Sequence, residues 1–212
     1  FGKIVMCLNP RHSSLLFLER IIFKRKHYRQ ITCISEQCKK EIVNHYNVSP
    51  HTIEIIYNGV NISIFTPKNR TTYRDTVRAT YGIAPDEVLL LFVGSGFKRK
   101  GLKYVIEALS LINKSQKTKL LVVGKGTIRE HQRLARKNGV LDKLIFAGVC
   151  KHIQEIYAGG DIFVFPSEYD AFGTACLEAM ASGLPVIASK SSGVSEIIAD
   201  FSPSSSVSVM VR

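Results

Sequence analysis

The sequence predicts an α/β fold in which a Rossmann-like parallel sheet carries helices on both faces and is preceded by the remnant of another domain. Three observations carry that reading. From Val88 onward, short and nearly all-apolar runs of strand length recur, as strands buried on both faces require. Longer amphipathic or polar stretches separate them, matching the crossover helices that parallel strands need. The chain has 212 residues, more than one ordinary domain uses and fewer than two α/β domains of about 150 residues each would take.

In chain order, Ile31–Ile34 reads as a strand, Gln37–Tyr46 as a helix and Ile53–Ile56 as a second short strand. Asn58-Gly59 opens a turn, and 58–67 is the expected interdomain linker. Arg70–Tyr81 follows as a helix stopped by Gly82. The strands of the main domain are Val88–Val93, Lys119–Val123, Leu144–Phe146, Asp161–Phe165 and Pro185–Ala188. Behind the first of them Val105, Leu109 and Ile112 fall at helical spacing, and the polar stretch Arg129–Lys137 ends at Asn138-Gly139, a helix stop. A further helix is expected from about Gly173 to Gly183. Beyond Asp200 the pattern collapses into a serine-rich run, with nothing that would finish a six-stranded sheet. The predicted boundaries are therefore 1–57, 58–67, 68–200 and a disordered tail at 201–212.

Composition narrows the classes. Hydrophobic residues make up 45% and charged residues 22%, which excludes intrinsic disorder and collagen-like repeats. Leu15–Phe23 is interrupted by Glu19 and Arg20, and no other apolar run approaches the length of a bilayer span. Together with the absence of a signal-peptide pattern, this predicts a cytoplasmic chain, and the start at Phe1 suggests a piece of a longer one. The net charge of +12 points to anionic partners, and Arg11 to Lys40 supplies half of it. Cys33 and Cys38 form the one close cysteine pair and have no second pair to complete a zinc site, so reduced thiols are expected. Scattered histidines are expected at the surface or at helix ends.

Two loops can carry chemistry. Strand Val88–Val93 runs into Gly94-Ser95-Gly96-Phe97-Lys98-Arg99-Lys100-Gly101 and then a helix. Ligands of open α/β sheets bind at such carboxyl ends. Glycines there admit a close diphosphate, and the cations can neutralise it. A solvated basic turn is the other reading of this string. Gly124-Lys125-Gly126 reads as an ordinary tight turn. Between Pro166 and Pro185, Glu168 and Asp170 precede the helix and Glu178 lies inside it, among Leu177 and Ala179-Met180-Ala181. Carboxylates repel phosphates, so their natural partners are sugar hydroxyls, while the free amides at the helix start face an anion. A nucleotide sugar needs both.

The segment resembles the donor motif of the retaining GT-B glycosyltransferases of family four, in which two glutamates are separated by seven residues; here they are Asp170, one methylene shorter, and Glu178. Phe172-Gly173, Gly183-Leu-Pro185 and Gly193-Val-Ser-Glu196 fit in order and spacing. Lys100-Gly101 stands where the family places a diphosphate-binding lysine. Gly94-Ser95 with Arg99-Lys100-Gly101 is similar to the branch of lipopolysaccharide core glucosyltransferases I, as are Glu19-Arg20, Phe23, Ile42, His45-Tyr46 and Ile55–Gly59. The resemblance implies a GT-B fold whose C-terminal domain, 68–200, binds the nucleotide sugar, while 1–57 is a remnant of the acceptor domain. It also implies retaining transfer of a hexose, glucose from UDP-glucose, to a lipopolysaccharide core or other glycan or lipid-linked acceptor. Neither a metal nor a cofactor is expected. Asp170, Arg99 and Lys100 are the expected catalytic residues, and Glu178, Gly94, Ser95, Gly96, Phe172, Gly173 and Thr174 the expected substrate-binding ones. Lys24, Arg25, Lys26 and Arg29 crowd one segment beside apolar residues, which offers contact with an anionic membrane surface. A peripheral membrane module and a nucleotide-sugar-binding fragment without turnover are the rival readings. Nucleic acid is not an expected partner, because the basic stretch lacks a reading motif.

Overall fold

The computed structural model describes residues 10–24, 28–113, 115–200 and 208–211. The chain divides into two compact units, Phe1–Tyr57 and Asn58–Arg212. The first contains α1 (Pro10–Lys24), β1 (Ile31–Cys33), α2 (Glu36–Tyr46), a 3-10 turn at Pro50–Thr52 and β2 (Ile53–Ile55). β1 and β2 pair in parallel, with Ile31 opposite Ile53, so α2 is the crossover of a βαβ unit. Ser35 starts α2 by accepting the Cys38 amide at 3.1 Å, and Asn47 ends it in the left-handed region at φ 51°. The core of this unit is small: Cys33, Val48 and Ile53 are buried, with Phe23, Ile42 and Tyr46 packed against them.

The apolar run at Leu15–Phe23, too short and interrupted to span a bilayer, forms the C-terminal part of α1. Phe23 stacks on Tyr46 at 4.4 Å, and the Tyr46 hydroxyl donates to Glu19 at 2.7 Å. Leu15, Phe17, Leu18 and Ile22 are exposed. Of the expected anionic-surface cluster, Lys24 closes α1 and Arg29 is exposed, while Arg25 and Lys26 lie outside the described residues.

The second unit runs α3 (Asn69–Thr80), β3 (Val88–Val93), α4 (Leu102–Leu111), β4 (Thr118–Val123), α5 (Ile128–Lys137), β5 (Leu144–Gly148), α6 (Ile153–Gly159), β6 (Ile162–Phe165), α7 (Thr174–Ala181), β7 (Val186–Ser189), α8 (Val194–Asp200) and β8 (Ser208–Val211). All the pairings are parallel, in the order β5-β4-β3-β6-β7-β8. The sheet therefore has six strands. This corrects the expectation of a disordered tail for residues 208–211, because β8 pairs along β7 with Val186 opposite Ser208; the rest of that expected tail, 201–207 and 212, lies outside the described residues. A four-residue strand behind a serine run offers too little pattern to be seen in sequence; its partner strand supplies the ladder. Residues 58–67, expected as a linker, pack on this unit, the Phe65 ring meeting Tyr157 edge-on at 5.8 Å.

Alternate side chains of the central strands fill both sides of the sheet. Phe92, Leu120 and Val122 pack with Leu102, Val105, Ile106 and Leu109 of α4. Leu89, Leu91, Phe163 and Phe165 are wholly buried as well, and Tyr157 of α6 lies against Phe163 at 5.8 Å. At the amino end of β6, Asp161 collects three arginines spaced along one face of α3: Arg70 at 3.2 Å, Arg74 at 2.6 Å and Arg78 at 3.0 Å. Burial alone would raise the Asp161 carboxyl. The Leu89 amide at 2.8 Å and the Arg74 and Arg78 guanidiniums outweigh it and hold the pKa below the ordinary carboxylate value. Arg74 and Arg78 also donate to the carbonyl of Gly159, so the cluster ties α3 to the end of α6.

Candidate active site

The strand order reverses between β3 and β6, and in open α/β sheets the crevice outside the carboxyl ends at such a point is where ligands sit. The loops that leave these two strands are bound to each other. The Glu168 amide donates to the Arg99 carbonyl at 2.9 Å, and the Ser167 hydroxyl donates to the same oxygen at 3.2 Å. Gly101 makes this approach feasible: it starts α4 at φ 74°, and a Cβ there would fall 1.8 Å from the Pro166 carbonyl oxygen. Glu168 also bonds Lys103 at 2.9 Å and the Tyr104 hydroxyl at 3.0 Å, and these two partners hold its carboxyl below the usual range.

The loop after β4 supports the first loop from the other side. A Cβ on Gly124, at φ 126°, would lie 2.1 Å from the Gly94 carbonyl oxygen. The Gly96 amide donates to the Lys125 carbonyl at 2.7 Å, and the Lys125 amide donates to the Ser95 hydroxyl at 3.4 Å. Lys125 thus contributes backbone, in keeping with a tight turn. Between the two loops lies an open cleft of about 380 Å³ lined by Gly96, Phe97, Lys98, Arg99, Gly126 and Glu168. A larger groove of about 590 Å³ lies at the opposite end of β3 and β4, beside Asp86 and Lys117, away from the crevice.

Within the crevice the expected residues converge unevenly. Lys100 Nζ contacts Asp170 Oδ2 and lies 4.6 Å from the centre of the Phe165 ring, and its stem runs where a Cβ on Gly94 would meet it at 3.5 Å. Arg99 donates to the Tyr169 carbonyl at 2.8 Å and reaches Asp170 Oδ2 at 3.4 Å. Asp170 is buried and accepts the Phe172 amide through Oδ1 at 3.2 Å. Phe172 is buried, and Gly173 caps α7 at φ 97°, its α-carbon facing Phe165, Ser192 and Val194. Thr174 is exposed and accepts from Asn58 at 3.4 Å.

Glu178 stands apart from these groups, one turn further along α7. It is half-buried, and burial raises its pKa against the opposing effect of a 2.8 Å hydrogen bond from the Tyr157 hydroxyl. Buried Cys176 lies in the field of Asp170, Lys100 and Glu178, and burial pushes its thiol far up, so it is an inert core group. Tyr157 is the functional candidate that sequence reasoning missed. Nothing distinguishes it from a core aromatic until its hydroxyl is placed. Among the histidines, His131 departs from the surface expectation: it is buried, edge-on to Phe97 at 5.7 Å, and its Nδ1 pairs with the Thr127 carbonyl at 2.8 Å.

Residues 73–207, more than half of the chain, match the family described as glycosyl transferases group 1, and residues 6–64 match glycosyltransferase family 4. The chain belongs to the group 1 glycosyltransferases. An uncharacterized glycosyltransferase of Methanocaldococcus jannaschii is 33% identical over 172 residues, 80% of this chain and 44% of that protein. The lipopolysaccharide glucosyltransferase WaaG of Escherichia coli is 30% identical over 195 residues, 91% of this chain and 52% of the relative. The crystal structure of WaaG superposes with a TM-score of 0.83 at 29% identity, covering 92% of this chain and 54% of that one. Anabaena HepE, solved with UDP-glucose, shares the fold with a TM-score of 0.78 at 20% identity, over 96% of this chain and 56% of its own. The GT-B type of parallel α/β architecture is thus shared, and this group 1 chain spans about half the length of these relatives.

Proposed function

We propose that this chain is the donor-binding part of a retaining glycosyltransferase that transfers glucose from UDP-glucose to a lipopolysaccharide core acceptor. The observation that carries the reading is the convergence of Lys100, Arg99 and Asp170 beside the start of α7, in the crevice between β3 and β6. It is supported by the likeness to WaaG, described as a lipopolysaccharide glucosyltransferase, and by the UDP-glucose complex of a protein of the same fold. In this reading Arg99 and Lys100 neutralise the diphosphate as it leaves, the Phe172–Thr174 amides meet phosphate or sugar oxygens, and Asp170 accepts hydroxyls of the transferred sugar. Glu178 accepts the ribose hydroxyls. Departure and attack occur on one face of the anomeric carbon through an oxocarbenium-like state. The two cations carry the charge compensation, so the scheme calls for no metal ion or cofactor.

Binding of UDP and UDP-glucose by variants tests the assignment. Glu178→Gln should weaken both by about 1.5 kcal/mol, roughly tenfold, as loss of a charge-assisted hydrogen bond does. Asp170→Asn should mainly remove the extra affinity contributed by the sugar. Glu178→Gln binding both ligands like the parent would remove the ribose role.

We also propose that the parent enzyme works from the cytoplasmic face of a membrane. Among the described residues no helix is long and apolar enough to cross one. The specific support is α1, where exposed Leu15, Phe17, Leu18 and Ile22 run toward the basic segment of Lys24, Arg25, Lys26 and Arg29. Each cation near an anionic leaflet contributes about 1 kcal/mol at low salt. Replacing the four by Gln should abolish sedimentation with anionic vesicles and spare UDP binding. Vesicle binding that ignores salt between low and physiological concentration would exclude electrostatic docking.

A further inference from the structure

We propose that Tyr157 is a positioning residue that fixes the Glu178 carboxylate for the nucleotide ribose, an inference that rests on the ribose role assigned to Glu178 above. Tyr157 is fully buried, and its ring is held between Phe65, edge-on at 5.8 Å, and Phe163 at 5.8 Å. Its hydroxyl is thereby aimed at α7, where it lies 2.8 Å from Glu178 Oε2 and 3.2 Å from the Ala175 carbonyl oxygen. A phenol has one proton to donate, and the shorter, charged acceptor takes the larger share of it. A glutamate side chain turns about several bonds, so a single fixed donor on one oxygen selects one rotamer and restricts the other oxygen to one direction. Among the described residues Oε1 makes no hydrogen bond, which leaves it to accept from a ligand.

The support continues behind the tyrosine. α6 is tethered at its end by Arg74 and Arg78, which donate to the Gly159 carbonyl at 3.3 and 3.4 Å. The hydroxyl therefore sits on a helix that cannot drift away from the sheet, and a phenylalanine would fill the same space without orienting the carboxylate. Burial raises the Glu178 pKa and the tyrosine hydrogen bond works against that rise, so the same contact favours the anionic form that a ribose hydroxyl would donate to.

The test measures UDP and 2′,3′-dideoxy-UDP by calorimetry on the whole chain, its Tyr157→Phe and Glu178→Gln variants, and the double variant. The parent should prefer UDP by about tenfold or more, the size of a charge-assisted hydrogen bond. Glu178→Gln should lose most of that preference. Tyr157→Phe should cut it by at least about threefold while binding the dideoxy nucleotide like the parent, and the double variant should discriminate no less than Glu178→Gln. Tyr157→Phe with the full preference, or with equal loss for both nucleotides, overturns the positioning role while the ribose role of Glu178 stands. A full preference in Glu178→Gln overturns the ribose role, and the proposal with it. Should Tyr157→Phe unfold, Glu178→Asp, which withdraws the carboxylate by one methylene, must lose the preference, and its retention overturns the proposal.

Discussion

Replacing Arg78 by alanine should lower the stability of the second unit by about 3–5 kcal/mol, the cost of removing one partner from a buried ion pair. At roughly 2–4 °C per kcal/mol for a domain of this size, the melting temperature should fall by about 10 °C. Only 5% of the Arg78 side chain is exposed, and its guanidinium binds Asp161, the Gly159 carbonyl, and the Ala84 and Glu87 carbonyls. Alanine leaves four oxygens short of a donor in a site that water reaches poorly. Arg70→Ala should cost far less, because 44% of that side chain is exposed and its ion pair is screened. Asp161 supplies the pH dependence. Its folded-state pKa is lowered, so its contribution is fully present above the unfolded value and is lost as pH falls through the folded one. Acid unfolding of Asp161→Asn should therefore shift less below about pH 4 than that of the parent. Equal melting temperatures for Arg70→Ala and Arg78→Ala would contradict the burial argument.

The arginine cluster marks where sequence reading stopped. Arg70, Arg74 and Arg78 recur on one face of a polar helix, and without the fold such a pattern reads as a solvated face. Their partner lies 83 residues beyond Arg78, at the start of a strand that alignment of apolar runs places but whose lateral neighbours it does not. The central strands were legible for the opposite reason. Buried along most of their length, Leu89–Val93, Leu120–Val123 and Ile162–Phe165 are continuous apolar runs that no exposed element would tolerate.

The site divides along the same line. Loop glycines and consecutive cations after β3, and carboxylates around the start of α7, are chemical signals written locally, and the structure gathers Arg99, Lys100 and Asp170 at one point. Contacts between distant segments left no such trace. Gly124 is a glycine because the Gly94 carbonyl approaches it, and Tyr157 becomes more than a core ring only when α6 and α7 are set side by side. α1 and β8 escaped for want of a readable pattern: one exposes several of its apolar residues, and the other is four residues long.

Lys100→Ala should weaken UDP binding by about 2–3 kcal/mol, roughly 30- to 150-fold, and leave uridine binding nearly unchanged. With 14% of its side chain exposed, Lys100 acts where solvent screening is weak, whereas Arg99, at 52%, should contribute less. In the structure both cations answer to the single charge of Asp170. A diphosphate brings more negative charge than that carboxylate, so Lys100 gains by turning toward it while Arg99 and the Phe172 amide keep Asp170 satisfied. Alanine would also remove the apolar stem that runs beside Gly94, which makes Lys100→Met the necessary companion. The methionine variant should keep the melting temperature close to that of the parent and still lose the diphosphate-dependent affinity. If uridine weakened as much as UDP in Lys100→Met, the lysine would be holding the loop, and the diphosphate role would pass to another cation.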